Sequence, residues 1–175
     1  HLQERYYYMM PSSANLTLNQ VTLTNNSTNG DGGAAVNDDG RLSLNQTLVS
    51  GNHGTLVDEI LNYGGAVVMD KYNLIGLDGS SGSVGVNIGA TDAVIAEPDI
   101  NMVLNTSLGN HGGLTATHLL NPDGPAVDFV PNGSCFQLTD QTGSGRPIDG
   151  DGDGTADCDV GALEYSEIIF KNSFE

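Results

Sequence analysis

The chain has 175 residues, of which 22 are acidic and five basic, giving a net charge of −17. So few Lys and Arg exclude a nucleic-acid partner, whose phosphates require cationic neutralisation, and argue against an anionic membrane surface. The 24 Gly, the frequent Asn and the absence of Trp predict a turn-rich all-β protein, and a 38% hydrophobic content is too high for plain disorder.

Residues 1–11 stand apart. His1 to Met10 holds three consecutive tyrosines and two methionines, which reads as an apolar cap or as a remnant foreign to the fold. No signal peptide is visible, and no apolar run reaches membrane-spanning length, so membrane insertion is not expected. Because the first residue is not Met, the N-terminus is expected to be processed or trimmed.

Internal repetition dominates residues 12–78. Leu16-Thr-Leu-Asn-Gln-Val-Thr-Leu-Thr-Asn-Asn26 recurs 26 residues later as Leu42-Ser-Leu-Asn-Gln-Thr-Leu-Val-Ser-Gly-Asn52. Gly32-Gly-Ala-Ala-Val36 recurs 32 residues later as Gly64-Gly-Ala-Val-Val68. The unequal offsets predict an insertion within residues 55–61. Leu16 and Leu18, then Leu42 and Leu44, alternate as on one face of a strand. Asn26 and Asn52 suit corners in left-handed or bridging backbone geometry. Asn73-Leu-Ile-Gly76 reads as one more strand and corner.

Short strands, Asn- and Gly-rich corners and a period in the twenties to thirties describe a β-solenoid, in which stacked coils bury a shared apolar core. A β-sandwich with regularly spaced strands is the competing architecture. The long, nearly identical repeat favours the solenoid.

Beyond residue 78 the regularity weakens. Ser80 to Ser83 reads as a flexible loop, and Pro98, Pro122, Pro125 and Pro131 cut residues 79–164 into short, irregular pieces. Residues 165–175 form a tail, where Ile168, Ile169 and Phe170 could make an edge strand. Cys135 and Cys158 are the two cysteines. They are expected to form a disulfide; free thiols and a zinc site are the alternatives, and no histidine has ligand spacing relative to them.

The acidic run Asp149-Gly-Asp-Gly-Asp-Gly-Thr-Ala-Asp157-Cys-Asp159 is the strongest chemical signal. Carboxylates at alternate positions repel, and the intervening glycines offer no packing to restrain them. A hard cation with oxygen ligands relieves that repulsion, and D-x-D-x-D-G opens a calcium loop. Val160 stands where an EF-hand has its bidentate Glu, and no helix-forming sequence flanks the run. The expected ligands of a Ca2+ loop of another kind are Asp149, Asp151, Asp153, Asp157 and Asp159, with the Thr155 carbonyl; a solvated acidic turn is the alternative.

An ordered set of motifs spans roughly residues 64–164: Tyr72-Asn-Leu-Ile-Gly76, Leu108-Gly-Asn-His-Gly-Gly-Leu-Thr-Ala-Thr-His118-Leu-Leu, Gly124-Pro-Ala-Val-Asp128, Asp140-Gln-Thr-Gly-Ser-Gly-Arg-Pro147, and Asp149 to Asp159 followed by Val160-Gly-Ala-Leu-Glu164. In this order they resemble the C-terminal part of the choice-of-anchor Q domain family of secreted bacterial β-helix proteins. Thr142 and Gly124 depart from that family's usual Arg and Ser. The resemblance implies a right-handed parallel β-helix, exported to the cell surface or beyond. It implies no agreed activity.

Catalytic signals are weak. Arg41 follows Asp38 and Asp39, which reads better as a charged corner than as a lyase site, since the net charge repels polyanions. Asp58 and Glu59 are adjacent and are expected on opposite faces of a strand, not across a hydrolase groove. His111 and His118 are expected to make structural hydrogen bonds. The expected function is therefore a non-enzymatic, secreted or cell-surface structural or adhesive protein, stabilised by Ca2+. It would self-associate by axial stacking or strand addition into a fibre or surface layer. The alternative is a polysaccharide lyase, hydrolase or binding module, with surface glycans as its partner.

Overall fold

A computed structural model of the chain describes residues 14–76, 82–95 and 99–166. The tyrosine-rich N-terminal segment, the first half of the Ser80 to Ser83 loop and the Ile168 to Phe170 tail lie outside the described residues. Among the described residues nine short strands form: β1 (Asn15–Asn19), β2 (Thr22–Leu23), β3 (Ala35–Asn37), β4 (Arg41–Asn45), β5 (Leu48–Val49), β6 (Ile60–Asn62), β7 (Ala66–Val68), β8 (Leu74–Gly76) and β9 (Ala93–Ile95). They make three sheets, ordered β1-β4-β7, β2-β5-β8-β9 and β3-β6. Every pair of named strands is parallel. The chain visits the first, second and third sheet in turn, then returns to the first and repeats.

The register gives the length of one pass. Leu16 pairs with Leu42, Thr22 with Leu48, Ala35 with Ile60 and Arg41 with Ala66. A single bridge between Leu61 and Val84 adds a further row to the third sheet. The all-β, parallel expectation therefore holds, and the parallel ladder runs on to Ile95, past residue 78. The expected insertion at 55–61 does not. Gly64 to Val68 is not the next copy of Gly32 to Val36: β7 stacks on β4 in the first sheet, and β6 is the strand that stacks on β3. Two different corners share the same turn chemistry, Gly-Gly before a small apolar strand, and that mimicked a repeat.

Corners one pass apart share their backbone conformation. Gln20 and Gln46 both have φ of 49°, Asn25 and Gly51 have 56° and 72°, and Asp39 and Gly65 have 64° and 73°. Asn, Asp and Gly tolerate this left-handed region, which turns the chain sharply between sheets. The left-handed residue is thus Asn25, one before the expected Asn26. Asn26 and Asn52 stack side chain on side chain instead, with Nδ2 of Asn26 donating to Oδ1 of Asn52 at 2.7 Å. Asn45 donates likewise to Asn19, and Asn37 to Asn62. These side-chain ladders tie successive passes together at their corners.

Two apolar cores follow from strand alternation. Leu42 and Leu44 of β4, Val49 of β5, Ile60, Met69 and Ile75 of β8 pack together in one of them. The neighbouring residues Leu48 and Leu74 join the other core, with Val103, Leu104, Leu120, Ala126, Val130 and Val160. The second sheet is therefore buried on both faces, which is why β5 and β8 lack the alternation of a half-exposed strand. Residues 99–166 cover its second face with almost no regular structure beyond two 3-10 turns and single antiparallel bridges. Cys135 and Cys158 are bonded, with Cα atoms 5.9 Å apart. Gln46 ties this region to the strands: its Oε1 accepts from the Phe136 N–H at 2.9 Å, and its Nε2 donates to the Ser134 carbonyl.

Candidate metal centre

The acidic loop folds around its own amides. Asp149 accepts hydrogen bonds from the Gly152 and Gly154 N–H groups at 2.8 and 3.0 Å. Asp151 accepts from Asp153 N–H, and Asp153 from Thr155 N–H. Each is a short-range turn in which an Asp carboxylate takes an amide two or more residues on. With a carboxylate at every second position and no side chain between, the run has little choice but to turn on itself.

The anchor for this loop is Asp128, 21 residues before Asp149. Its Oδ2 accepts from Gly150 N–H at 2.8 Å and from Asp151 N–H at 2.7 Å. Gly150 is required for that approach, because a Cβ there would lie 2.7 Å from Val127 Cγ1. The result draws three carboxylates together: one oxygen each from Asp128, Asp149 and Asp151 lies within 4.8 Å of the others. Asp128 is half-buried and Asp151 is exposed. Desolvation raises the pKa of Asp128 despite the donated amides, and the Asp151 charge pushes it the same way.

Three clustered carboxylate oxygens are a hard, anionic donor set of the kind that suits Ca2+ or Mg2+, with carbonyls or water completing the shell. Of the residues named from sequence, Asp149 and Asp151 belong to this cluster. Asp153 and Thr155 lie in the exposed part of the loop and are outside it. Asp157 is occupied elsewhere, accepting from Asn132 N–H at 2.8 Å. Asp128 is the member of the cluster that the sequence reading does not include. Its only sequence signal was its place at the end of Gly124-Pro-Ala-Val-Asp128, remote from the acidic run.

Asp159 belongs to a separate, buried network. It accepts from the N–H groups of Asp128 and Tyr165. Arg146, with its side chain fully buried, lies 3.1 Å from Glu164 and donates to the carbonyls of Asp159 and Gly161 at 2.7 and 2.8 Å. Burial and the nearby Glu164 push the Asp159 carboxyl up to about 8. Burial also lifts Glu164 to about 7, although the Arg146 charge pulls it down. This network braces the back of the loop by joining residues 140, 146, 148, 159 and 164.

The remaining candidates resolve as structure. His111 Nδ1 lies 2.9 Å from Thr117 Oγ1, and His118 Nδ1 lies 2.9 Å from the Asn105 carbonyl. Arg41 is exposed on β4. Asp58 and Glu59 precede β6 rather than lying in a strand, and both are buried, contrary to the opposite-face expectation. Asp58 pairs with His53 and the Gly54 N–H; Glu59 accepts from Asn52 Nδ2 at 2.7 Å.

No protein-family model matches the chain, and neither a curated protein nor a solved structure matches it significantly.

Proposed function

We propose that this protein is an exported structural or adhesive module whose stacked passes form a right-handed parallel β-helix that associates end to end. The observation that carries this reading is the contrast between equivalent leucines. Leu42, in the second row of the first sheet, is 2% exposed, and its counterpart Leu16 in the first row is 42% exposed. Among the described residues β1 is the edge of its sheet, and it offers a second copy the same apolar and hydrogen-bonding pattern that the second row offers the first. Head-to-tail contact of that kind does not close, and it builds a filament or layer. The disulfide supports an oxidising location outside the cytoplasm.

In this reading Ca2+ is the resident cation, held by Asp128, Asp149 and Asp151. It offsets most of the charge of three clustered carboxylates in a chain of net charge −17 and ties the acidic loop to Asp128. Its role is to brace, with no chemistry performed on a substrate.

The test is the size of the native, calcium-loaded protein against concentration, by light scattering and electron microscopy. Expected are oligomers or filaments that grow with concentration and are lost in Leu16→Lys. A monodisperse monomer throughout the range overturns the assembly reading. In that case processing of, or binding to, a polysaccharide is the alternative to pursue.

A further inference from the structure

A cavity of about 440 Å3 lies where the β1–β2 corner meets the C-terminal region, lined among others by Gln20, Thr22, Ala116, Thr117, His118 and Gln137. Two independent features of its wall have the same chemistry. The first is Gln20. It is 8% exposed, yet neither its Nε2 nor its Oε1 has a hydrogen-bond partner. A buried carboxamide that makes no hydrogen bond is uncommon in a folded protein and calls for an explanation.

The structure contains its own key to this residue. Gln46 occupies the equivalent corner one row further on, with the same φ of 49°. Both polar atoms of its carboxamide have a partner, Oε1 accepting from Phe136 N–H and Nε2 donating to the Ser134 carbonyl. Gln46 thus holds a passing length of backbone by one donor and one acceptor. Gln20 presents the same pair of groups with no backbone to hold.

The second feature is a strand edge. Gly109 and Thr117 exchange both backbone hydrogen bonds, at 3.1 and 2.9 Å, and Asn105 N–H donates to the Leu119 carbonyl at 2.7 Å. Odd-numbered residues from 117 onward therefore face the 103–109 segment. Antiparallel geometry turns the N–H and C=O of Ala116 and His118 the other way. Those two residues line the cavity, and backbone groups turned away from the 103–109 segment are of the kind that accept an added strand.

We propose that this cavity takes an extended peptide segment of a partner polypeptide, which pairs its backbone with the Ala116–His118 edge and with the Gln20 carboxamide. Gln20 turns its carboxamide from the wall into the cavity and repeats the hold that Gln46 has on residues 134–136. Recognition is of backbone rather than of side chains, since both features offer only amide-type donors and acceptors. An acetamido sugar carries the same amide group, but it does not supply the run of alternating donors and acceptors that a strand edge needs.

The probe is the peptide acetyl-Asn-Gly-Ser-Ser-Phe-Gln-Leu-amide, the sequence of residues 132–138 with Ser for the cysteine, labelled for fluorescence anisotropy against the full chain. Saturable binding is expected, weakened at least about tenfold by Gln20→Leu, because two hydrogen bonds are lost. The melting temperature of Gln20→Leu should not fall, since the substitution removes only unpartnered polar atoms. A peptide N-methylated at its central amides should not bind. The proposal is overturned if the plain peptide does not bind, if Gln20→Leu binds it equally well, or if the N-methylated peptide binds as tightly. Binding of tri-N-acetylchitotriose at this site without peptide binding assigns the cavity to a sugar and overturns it too.

Discussion

Glu59 shows what a single buried charge does in a chain already crowded with them. It is fully buried, and its carboxylate is met by the Asn52 side chain at 2.7 Å. Burial outweighs that hydrogen bond and pushes its pKa from 4.5 up to about 7. A carboxyl raised on folding stabilises the native state at low pH, where the carboxyl is protonated in both states. That contribution is lost as pH rises from about 4.5 through about 7. Glu59→Gln should therefore flatten the stability profile across this window. At pH 8 it should stabilise the protein by up to about 3 kcal/mol, read from urea midpoints at both pH values. A variant less stable than the parent at pH 8 would show that the charged form is required. Arg146 is the opposite case. Arg146→Met leaves Glu164 and Asp159 buried without a countercharge and should cost about 3–5 kcal/mol in the same assay. Neither role was legible in the sequence. Adjacent acids read as strand faces until the corner at Asn52 is known, and Arg146 lies far in sequence from the carboxylate it meets. Asp128 escaped for the same reason: a carboxylate brought to the acidic loop across 21 residues leaves no local spacing to read.

Strands of two to five residues cannot persist singly, and here each is held by its neighbours one pass away. Leu42 and Leu44 are the pegs of that stacking, inside a core with Val49, Ile60 and Ile75. Leu42→Ala should cost about 2–5 kcal/mol, since it opens a cavity in a closed core. The equivalent Leu16→Ala should cost less than about 1 kcal/mol in the monomer, because that row is already exposed. Chemical denaturation of both variants at a concentration below any assembly checks the contrast, and equal losses would show that the first row is covered after all. The 26-residue repeat made these positions legible, because identical corners enforce one register and side-chain alternation then fixes the face. The Gly-Gly match misled for the same reason that the longer match succeeded. A two-glycine turn records local backbone need and says nothing about which sheet the next strand joins. The two-sided burial of β5 and β8 was beyond reach as well, since it depends on what residues 99–166 cover.

At the scale of the molecule, an irregular region of nearly seventy residues is fastened to a regular stack by Gln46, by the Ala162 N–H donated to Thr22 and by a shared apolar core, and it is braced within itself by the disulfide, the Arg146 network and the acidic loop. Reducing the disulfide frees a loop closed by a sequence separation of 23 and should cost on the order of 3 kcal/mol, seen as a lower melting temperature in reductant. Unchanged melting would mean that the other ties suffice. The acidic loop tests the proposed cation most sharply, because the linear motif and the folded cluster pick out different carboxylates. Sequence alone counts every acid from Asp149 to Asp159, whereas the folded chain gathers Asp128, Asp149 and Asp151 and sends Asp153 outward. A cation bound only to the native state stabilises it by about 2.7 kcal/mol at a hundredfold excess over Kd. Added calcium should therefore raise the melting temperature, and chelator should lower it. Asp128→Asn and Asp149→Asn should each abolish that response, while Asp153→Asn should leave it nearly intact. If Asp153→Asn is as damaging as Asp149→Asn, the three-carboxylate centre is wrong and the ligands are those of the linear motif. If chelator moves no melting curve and elemental analysis finds no calcium, the loop is an acidic turn held by its own amides, as the bonds from Gly152 and Gly154 to Asp149 would allow.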